Sequence, residues 1–442
     1  MIPLVAAKEP DARLTLAPPF PRITPTAPSI PPPALPGFVF GKHVVFMSNR
    51  RIGLWLIGAW GGVSSTAVLG LAALGRKLID NTALVSANPV FAKLDLDGFA
   101  DFVVGGHDIR KTSFAAAVAE LHQRANIFDQ PLIDACLPTL NDWDKNVRPG
   151  TVLGAGPTIG KLVELAAVNR VATPRQAIDR IQQDLREFKE RHKLDQVIVA
   201  NVSSTEPPFD IDARHESVAA FQAALDQPDL APASALYGWA ALDMGFPYIN
   251  FTPSLGSSFP AALELAIARK TCTTGKDGKT GETLMKTVLA PMFKHRNLQI
   301  LSWVGHNIFG NRDGIVLDDP VNKASKIQTK DQVISSIVGY KPDTLVTIEY
   351  IPSLDDWKTA WNHIHYKGFL NTKMILQFIW QGCDSILAAP LLLDIIRFTL
   401  LSQRRGEHGL LPHLACFFKS PMGVEEHDFF KQYADLEAYA KG

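Results

Sequence analysis

Apolar positions along the 442-residue chain fall into short, bounded runs, and helical stretches separate them. Residues 53–58, GLWLIG, form one such run: continuous apolar positions closed by glycine predict a strand buried on both faces. More glycines follow at once. Residues 66–77, TAVLGLAALGRK, then give an apolar helical segment, so the local order is strand, glycine turn, helix. Residues 102–104 and 197–200 predict further buried strands, and residues 114–124 and 177–192 predict helices between them. This alternation predicts an α/β sheet. Beyond about residue 284 the pattern mixes strands, at 299–304 and 345–350, with a helix at 329–337, and predicts a second region of α+β character. No internal repeat is found.

Two stretches depart from these patterns. Residues 18–36, PPFPRITPTAPSIPPPALP, are dense in proline, which removes amide donors and favours extended polyproline conformation. They predict a tail, either disordered or strapped onto a neighbouring subunit. The longest apolar run, 386–401, is expected to be too short for a bilayer and contains Pro390, Asp394 and Arg397, so it predicts a buried helix. The start of the chain lacks the basic, apolar and small-residue order of a signal peptide, and a cytoplasmic protein without a membrane partner is expected.

Composition narrows the function classes. Forty-four basic and forty-four acidic residues cancel, so no bulk field argues for a nucleic-acid partner. Cys136, Cys272, Cys383 and Cys416 lie far apart, without zinc or disulfide spacing.

Candidate chemistry begins at Gly58-Ala-Trp60-Gly61-Gly62-Val-Ser64-Ser65-Thr66, where glycines let backbone approach a pyrophosphate and hydroxyls sit at a helix N-terminus. A tight turn with close helix packing is the alternative. A second glycine cluster, Gly154-Ala-Gly156-Pro157-Thr-Ile-Gly160, has no clear strand feeding it, and Pro157 interrupts its turn. Asp108 follows the strand at 102 and could hold ribose hydroxyls. Its spacing is too long for the acid that ends a standard second strand, so spacing alone favours a helix-capping aspartate.

The chemical site is signalled at 275–286, GKDGKTGETLMK, where small and hydroxylated residues free backbone amides for an anion and lysines neutralise it. A Walker loop would need a spacing that is absent here. Asn307 to Gly314 and 323–330 follow; Lys326 and Lys330 stand four apart, where like charges repel unless an anion lies near. A solvated lysine face is the alternative.

Taken together, Gly-x-Trp-Gly-Gly with Ser-Ser-Thr, Gly-Gly-His-Asp-Ile, the 242–250 stretch LDMGFPYIN, the 275–286 stretch, Gly310-Asn-Arg-Asp-Gly314 and Ser325-Lys-Ile-Gln-Thr-Lys330 resemble the myo-inositol-1-phosphate synthase family, particularly its archaeal-type branch, from about Gly53 onward. The resemblance implies a Rossmann-type NAD-binding domain with an inserted α+β catalytic and tetramerisation domain. The corresponding boundaries are an extension at 1–48, an NAD domain at 49–283, the catalytic domain at 284–383 and a return to the NAD domain at 384–442. It also implies the chemistry: NAD oxidises C5 of open-chain glucose 6-phosphate, a proton leaves C6, the enolate carbon attacks the C1 aldehyde, and hydride returns.

Residue roles implied by the resemblance are as follows. Lys326, Lys330, Lys358 and Lys419 are site lysines, with Asp277, Asp313 and Asp384 as partner carboxylates. Thr280, Gly281, Glu282, Thr283, Asn307, Phe309 and Asn311 match the substrate- and phosphate-binding stretch. Gly58, Trp60, Gly61, Gly62, Ser64, Ser65, Asp108, Asn201, Ser204 and Asp243 match NAD contacts. On their own spacing Lys358 and Lys419 read as snorkelling surface lysines. The chain departs from the family at Val63-Ser64-Ser65, Glu282 and Phe309. The resemblance leaves open whether a divalent metal or a monovalent cation accompanies NAD, and implies a homotetramer. An NAD-dependent sugar-phosphate dehydrogenase releasing NADH is the rival function, although simple hydride transfer has no need of several lysines.

Overall fold

The first apolar run becomes the central strand of a parallel sheet. In the computed structural model, which describes residues 50–317 and 333–442, β1 (Ile52–Ile57) is buried throughout and lies between β2 (Phe102–Asp108) and β4 (Gln196–Asn201), parallel to both. Ile57 stands opposite His107 on one side and Asn201 on the other, so three strand ends open at one level. β3 (Val147–Pro149) extends the sheet beyond β2. On the other side β5 (Tyr248–Asn250), β6 (Cys272–Gly275) and β11 (Gly409–Leu410) follow β4, giving the order β11-β6-β5-β4-β1-β2-β3. The chain leaves β1 toward β2 and later passes back to β4, so the strand order reverses at β1. The crevice outside the strand ends at such a reversal is where doubly wound sheets take ligands.

Helices cover both faces. On one, α1 (Gly62–Gly75), α2 (Phe114–Ala125) and α3 (Gln130–Asp144) share a core with Leu392, Ile396 and Leu400 of the helix Asp384–Arg404, the return helix. On the other, the helices Pro174–His192, Ala233–Asp243 and Pro260–Ala268 pack through Ile181, Leu185, Leu236, Trp239 and Leu265. α1 starts four residues before the predicted 66, because Gly61 takes the N-cap place inside the glycine turn.

The return helix corrects one expectation. At 21 residues it is long and apolar enough to cross a membrane, but most of it is buried within the fold, as a core helix would be. Its charges are used internally: Asp394 accepts from the backbone N–H groups of Val85 and Ser86, and the Arg397 guanidinium donates to Ser86 Oγ at 2.6 Å.

A second sheet has the order β10-β9-β7-β8, from β7 (Gln299–Phe309), β8 (Asp343–Tyr350), β9 (Trp357–Lys367) and β10 (Lys373–Cys383). β9 runs antiparallel to β7 and β10, and β8 runs parallel to β7. One face buries Trp303 and Ile364 against Phe293 of the helix Glu282–His295 and against Val333 and Ile337 of the helical residues 333–338. The other face leaves Leu345, Trp361, Ile375 and Ile379 exposed. β10 runs straight into the return helix, with Cys383 at its N-cap. The 1–48 extension, the predicted helix start at 329, and Lys326 and Lys330 lie outside the described residues.

Candidate active site

The glycine turn at the end of β1 is built by backbone geometry. Gly58 has φ +79, and a Cβ there would come within 2.9 Å of the Ser203 Cα. A Cβ on Gly62 would come within 2.7 Å of Ser385 Oγ. Gly61 offers no side-chain cap to α1, and Ser64 Oγ donates to the Gly58 carbonyl at 2.7 Å, tightening the turn from behind. Gly58, Gly61, Gly62 and Val63 line a cavity of about 480 Å³ at the sheet's reversal point. A cradle that side chains would fill, at an uncapped helix N-terminus, fits a dinucleotide pyrophosphate.

Asp108 sits at the end of the second strand, contrary to the spacing expectation. The strand predicted at 102–104 runs on to Asp108, and the crossover from α1 carries three short 3₁₀ turns that lengthen the interval. Its carboxylate accepts from Trp60 N–H at 2.7 Å, Ile109 N–H at 2.8 Å and Arg110 N–H at 2.9 Å. It thus fixes the glycine turn while lining the cavity. The second glycine cluster is also corrected. The short strand β3 precedes it, Pro157 starts a helical turn at Pro157–Gly160, and Ala155 and Ile159 line the same cavity.

The same cavity is lined by Asp277, Thr280, Asn311, Asp313, Lys358, Asp384 and Lys419, together with Trp60 and Ser204. Lys419 Nζ donates to Asp277 Oδ1 at 2.7 Å, both groups nearly buried. Lys358 Nζ lies 5.2 Å from the centre of the Phe309 ring, which therefore supports a lysine from below. Thr205 Oγ1 donates to Asp313 Oδ1 at 3.3 Å. Residues from both sheets thus meet at one cavity.

Other expected site residues are not among those that line the cavity. Ser65 and Thr283 are buried, and neither hydroxyl has a hydrogen-bond partner among the described residues. Asn201 is buried and donates to Asn250 and Thr252, bracing the β4 and β5 ends. Glu282 is buried with Lys286 at 3.3 Å, Asn307 donates to the Thr347 carbonyl, and Gly281 precedes that helix as its N-cap. Asp243 is the residue furthest from expectation. It ends the helix Ala233–Asp243 and accepts from Gln182 and Arg269, absent from the cavity wall.

Two buried cavity carboxylates lie outside the expected set. Asp356 is 3% exposed and accepts from Ser385 N–H and Cys383 Sγ, each at 2.8 Å, and from Asn311 at 3.2 Å; burial raises its pKa. Glu206 accepts from the Ser234 N–H at 2.9 Å and from the Ser234 hydroxyl, and burial pushes its carboxyl up to about 7. Asp356 stands two positions before Lys358, and Glu206 two after Ser204, so adjacency to expected residues was the signal available. At the rim, Arg124 Nε meets Asp355 at 2.7 Å, Arg312 meets Glu120 at 3.2 Å, and the Trp357 indole donates to the Ala125 carbonyl at 2.8 Å.

A glycine turn at the reversal of a parallel sheet, in a cavity also lined by lysines and aspartates, defines an NAD-binding enzyme of the doubly wound class. Residues 52–441 match the NAD-binding family model described as myo-inositol-1-phosphate synthase, and the chain belongs to that family. The inositol-3-phosphate synthase 1 of Bacteroides thetaiotaomicron is 31% identical over 423 residues, covering 89% of this chain and 95% of that protein. The inositol-3-phosphate synthase of Caenorhabditis elegans superposes with TM-score 0.79 at 22% identity, covering 88% of this chain and 85% of that one. A myo-inositol-1-phosphate synthase-related protein of Thermotoga maritima gives TM-score 0.73 at 22% identity, covering 89% and 99%. The two solved structures support the fold.

Proposed function

We propose that this chain cyclises D-glucose 6-phosphate to 1L-myo-inositol 1-phosphate, that is 1D-myo-inositol 3-phosphate, in an NAD-dependent reaction without net redox change. The observation that carries the reading is the Lys419–Asp277 pair on the wall of the cavity that the Gly58 turn opens. NAD supplies, when bound, the acceptance of a hydride from C5 and its return after ring closure. Gly58, Gly61 and Gly62 leave room for its pyrophosphate, and Asp108 holds that turn in place.

The chain's own cations do the rest. Lys358 and Lys419, together with Lys326 and Lys330 assigned by family pattern, stabilise oxyanions at O1 and O5 during enolisation and ring closure. Asp277 keeps Lys419 oriented, and Asp313 and Asp384 set the charge balance along the same wall. Thr280 and Asn311, which line the cavity, take the phosphate in this reading. A Schiff-base lysine is the competing mechanism. Any cation that accompanies the cofactor would meet oxygen donors, Asp356 and Ser385 beside Gly62, which suit a hard ion.

The wider arrangement follows the same reading: an NAD domain at 49–283, a catalytic domain at 284–383, a return at 384–442, a cytoplasmic location, and a homotetramer. The exposed face of the second sheet, with Leu345, Trp361, Ile375 and Ile379, supports assembly with further copies of this chain. Phosphorus NMR of purified protein with glucose 6-phosphate and NAD tests the function. Inositol phosphate without accumulated NADH is expected. Stoichiometric NADH without inositol phosphate would favour the dehydrogenase instead.

A further inference from the structure

The loop that carries Asp277 contains a second buried cation. Lys279 is 2% exposed, and its ammonium donates to the side-chain oxygen of Gln432 at 2.6 Å and lies 5.9 Å from the Phe429 ring centre. Both partners belong to the helix Phe429–Lys441, the terminal helix, no residue of which lines the cavity. Gln432 is itself fully buried, and its amide donates to the Glu426 carbonyl at 2.6 Å. The titratable groups facing the ammonium are Cys416, from the turn Pro412–Phe417, and His427, just before the terminal helix. Among the described residues no carboxylate forms an ion pair with Lys279.

A cation buried against neutral partners costs more than an apolar side chain of similar size would. Packing alone therefore gives no reason for a charge here. Burial pushes the ammonium down to about 8, the direction expected without a counter-charge.

The location gives a reason. The backbone of 275–279 is laced to residues 417–422: Lys279 N–H donates to the Phe417 carbonyl at 2.8 Å, Lys419 N–H to Asp277 at 2.7 Å, and Met422 N–H to Gly275 at 2.8 Å. Lys276 and Ser420 exchange both of their backbone bonds, at 3.0 and 3.2 Å. This ribbon sets where Asp277 and Lys419 stand. The Lys279 side chain ties one of its strands to the terminal helix behind it.

We infer that Lys279 is a positioning residue: held by Gln432, it fixes the 275–280 loop against residues 417–420 and thereby sets the Asp277–Lys419 pair. The inference rests on the proposed role of that pair. It makes the terminal helix part of the reaction machinery, at a distance from the cavity.

A double-mutant cycle in the full chain tests it. Lys279→Met is expected to lower kcat by at least ~30-fold while KM for glucose 6-phosphate stays within about 3-fold. NAD affinity should be unchanged. Lys279→Met combined with Lys419→Ala is expected to retain the residual turnover of Lys419→Ala alone, because both act through one pair. Gln432→Leu, which removes the acceptor and leaves the loop sequence intact, is expected to give the same non-additive pattern even if Lys279→Met does not fold. Multiplicative losses in the cycles, or wild-type kcat in both single variants while Lys419→Ala is inactive, would overturn the positioning role. Wild-type kcat in Lys419→Ala would instead overturn the reading of the pair, and the inference with it.

Discussion

At the scale of residues, the site is assembled from groups whose chemistry is set by neighbours far away in the chain. Lys358 owes its place to the Phe309 ring, and Lys419 to Asp277, 142 positions earlier. Neither relation can be read from local spacing, which is why both lysines look like surface residues until the family pattern is brought to bear. At Asp108 spacing alone misleads for a different reason: the crossover before β2 is lengthened by turns that carry no periodic signal, and only the family pattern points to the residue. Glu206 yields a prediction. Burial raises its carboxyl from the usual 4.5 to about 7, so the folded chain holds this proton more tightly than the unfolded chain does. That contribution is full below about pH 4.5 and is lost as pH rises through about 7. Glu206→Gln is therefore expected to raise Tm over wild type at pH 8 by on the order of 2 °C, with the gain vanishing near pH 4.5, in paired calorimetric scans. An equal gain at both pH values would refute the assignment.

Among elements, the long patterned ones were legible and the short ones were not. β1 and β4, and the helix Pro174–His192, carry continuous or helical apolar patterns and lie close to where the sequence predicts them. β5, β6 and β11 are three, four and two residues long, too brief for any period to emerge, yet they complete the sheet. The contact across the cavity mouth was equally hidden, since α2 and the β8–β9 turn meet through Arg124–Asp355 and Trp357 over more than two hundred positions. This clasp predicts a kinetic effect. Asp355→Asn keeps the size and shape of the side chain but removes the charge, and should speed NAD release by ~2–5-fold in stopped-flow fluorescence. An unchanged release rate would mean that the clasp does not restrain the cofactor.

For the whole molecule, the two sheets divide the labour. One opens its strand ends to the cofactor, while the other supplies Asn311 and Lys358 at one end and leaves an apolar face uncovered. Ile379, 62% exposed and level with Trp361 on β9, stands midway along the edge strand β10 on that face. If the proposed tetramer assembles through this face, Ile379→Asp is expected to give smaller species in size-exclusion chromatography with light scattering, with cofactor binding intact. A variant that stays tetrameric would move the interface to another surface.

The return helix and β11 carry one more consequence. Arg404 reaches Asp97, and Asp394 reaches Val85, across roughly three hundred positions of chain. β11 joins the sheet only at residues 409–410. On the ribosome, then, the cofactor layer cannot close until nearly all of this sequence has emerged, and α1 waits with its apolar side uncovered. Contacts of such long sequence separation slow folding and prolong exposure to aggregation. Nascent chains released before residue 384 should accordingly be captured by chaperones or degraded, even though every glycine of the first turn is already in place.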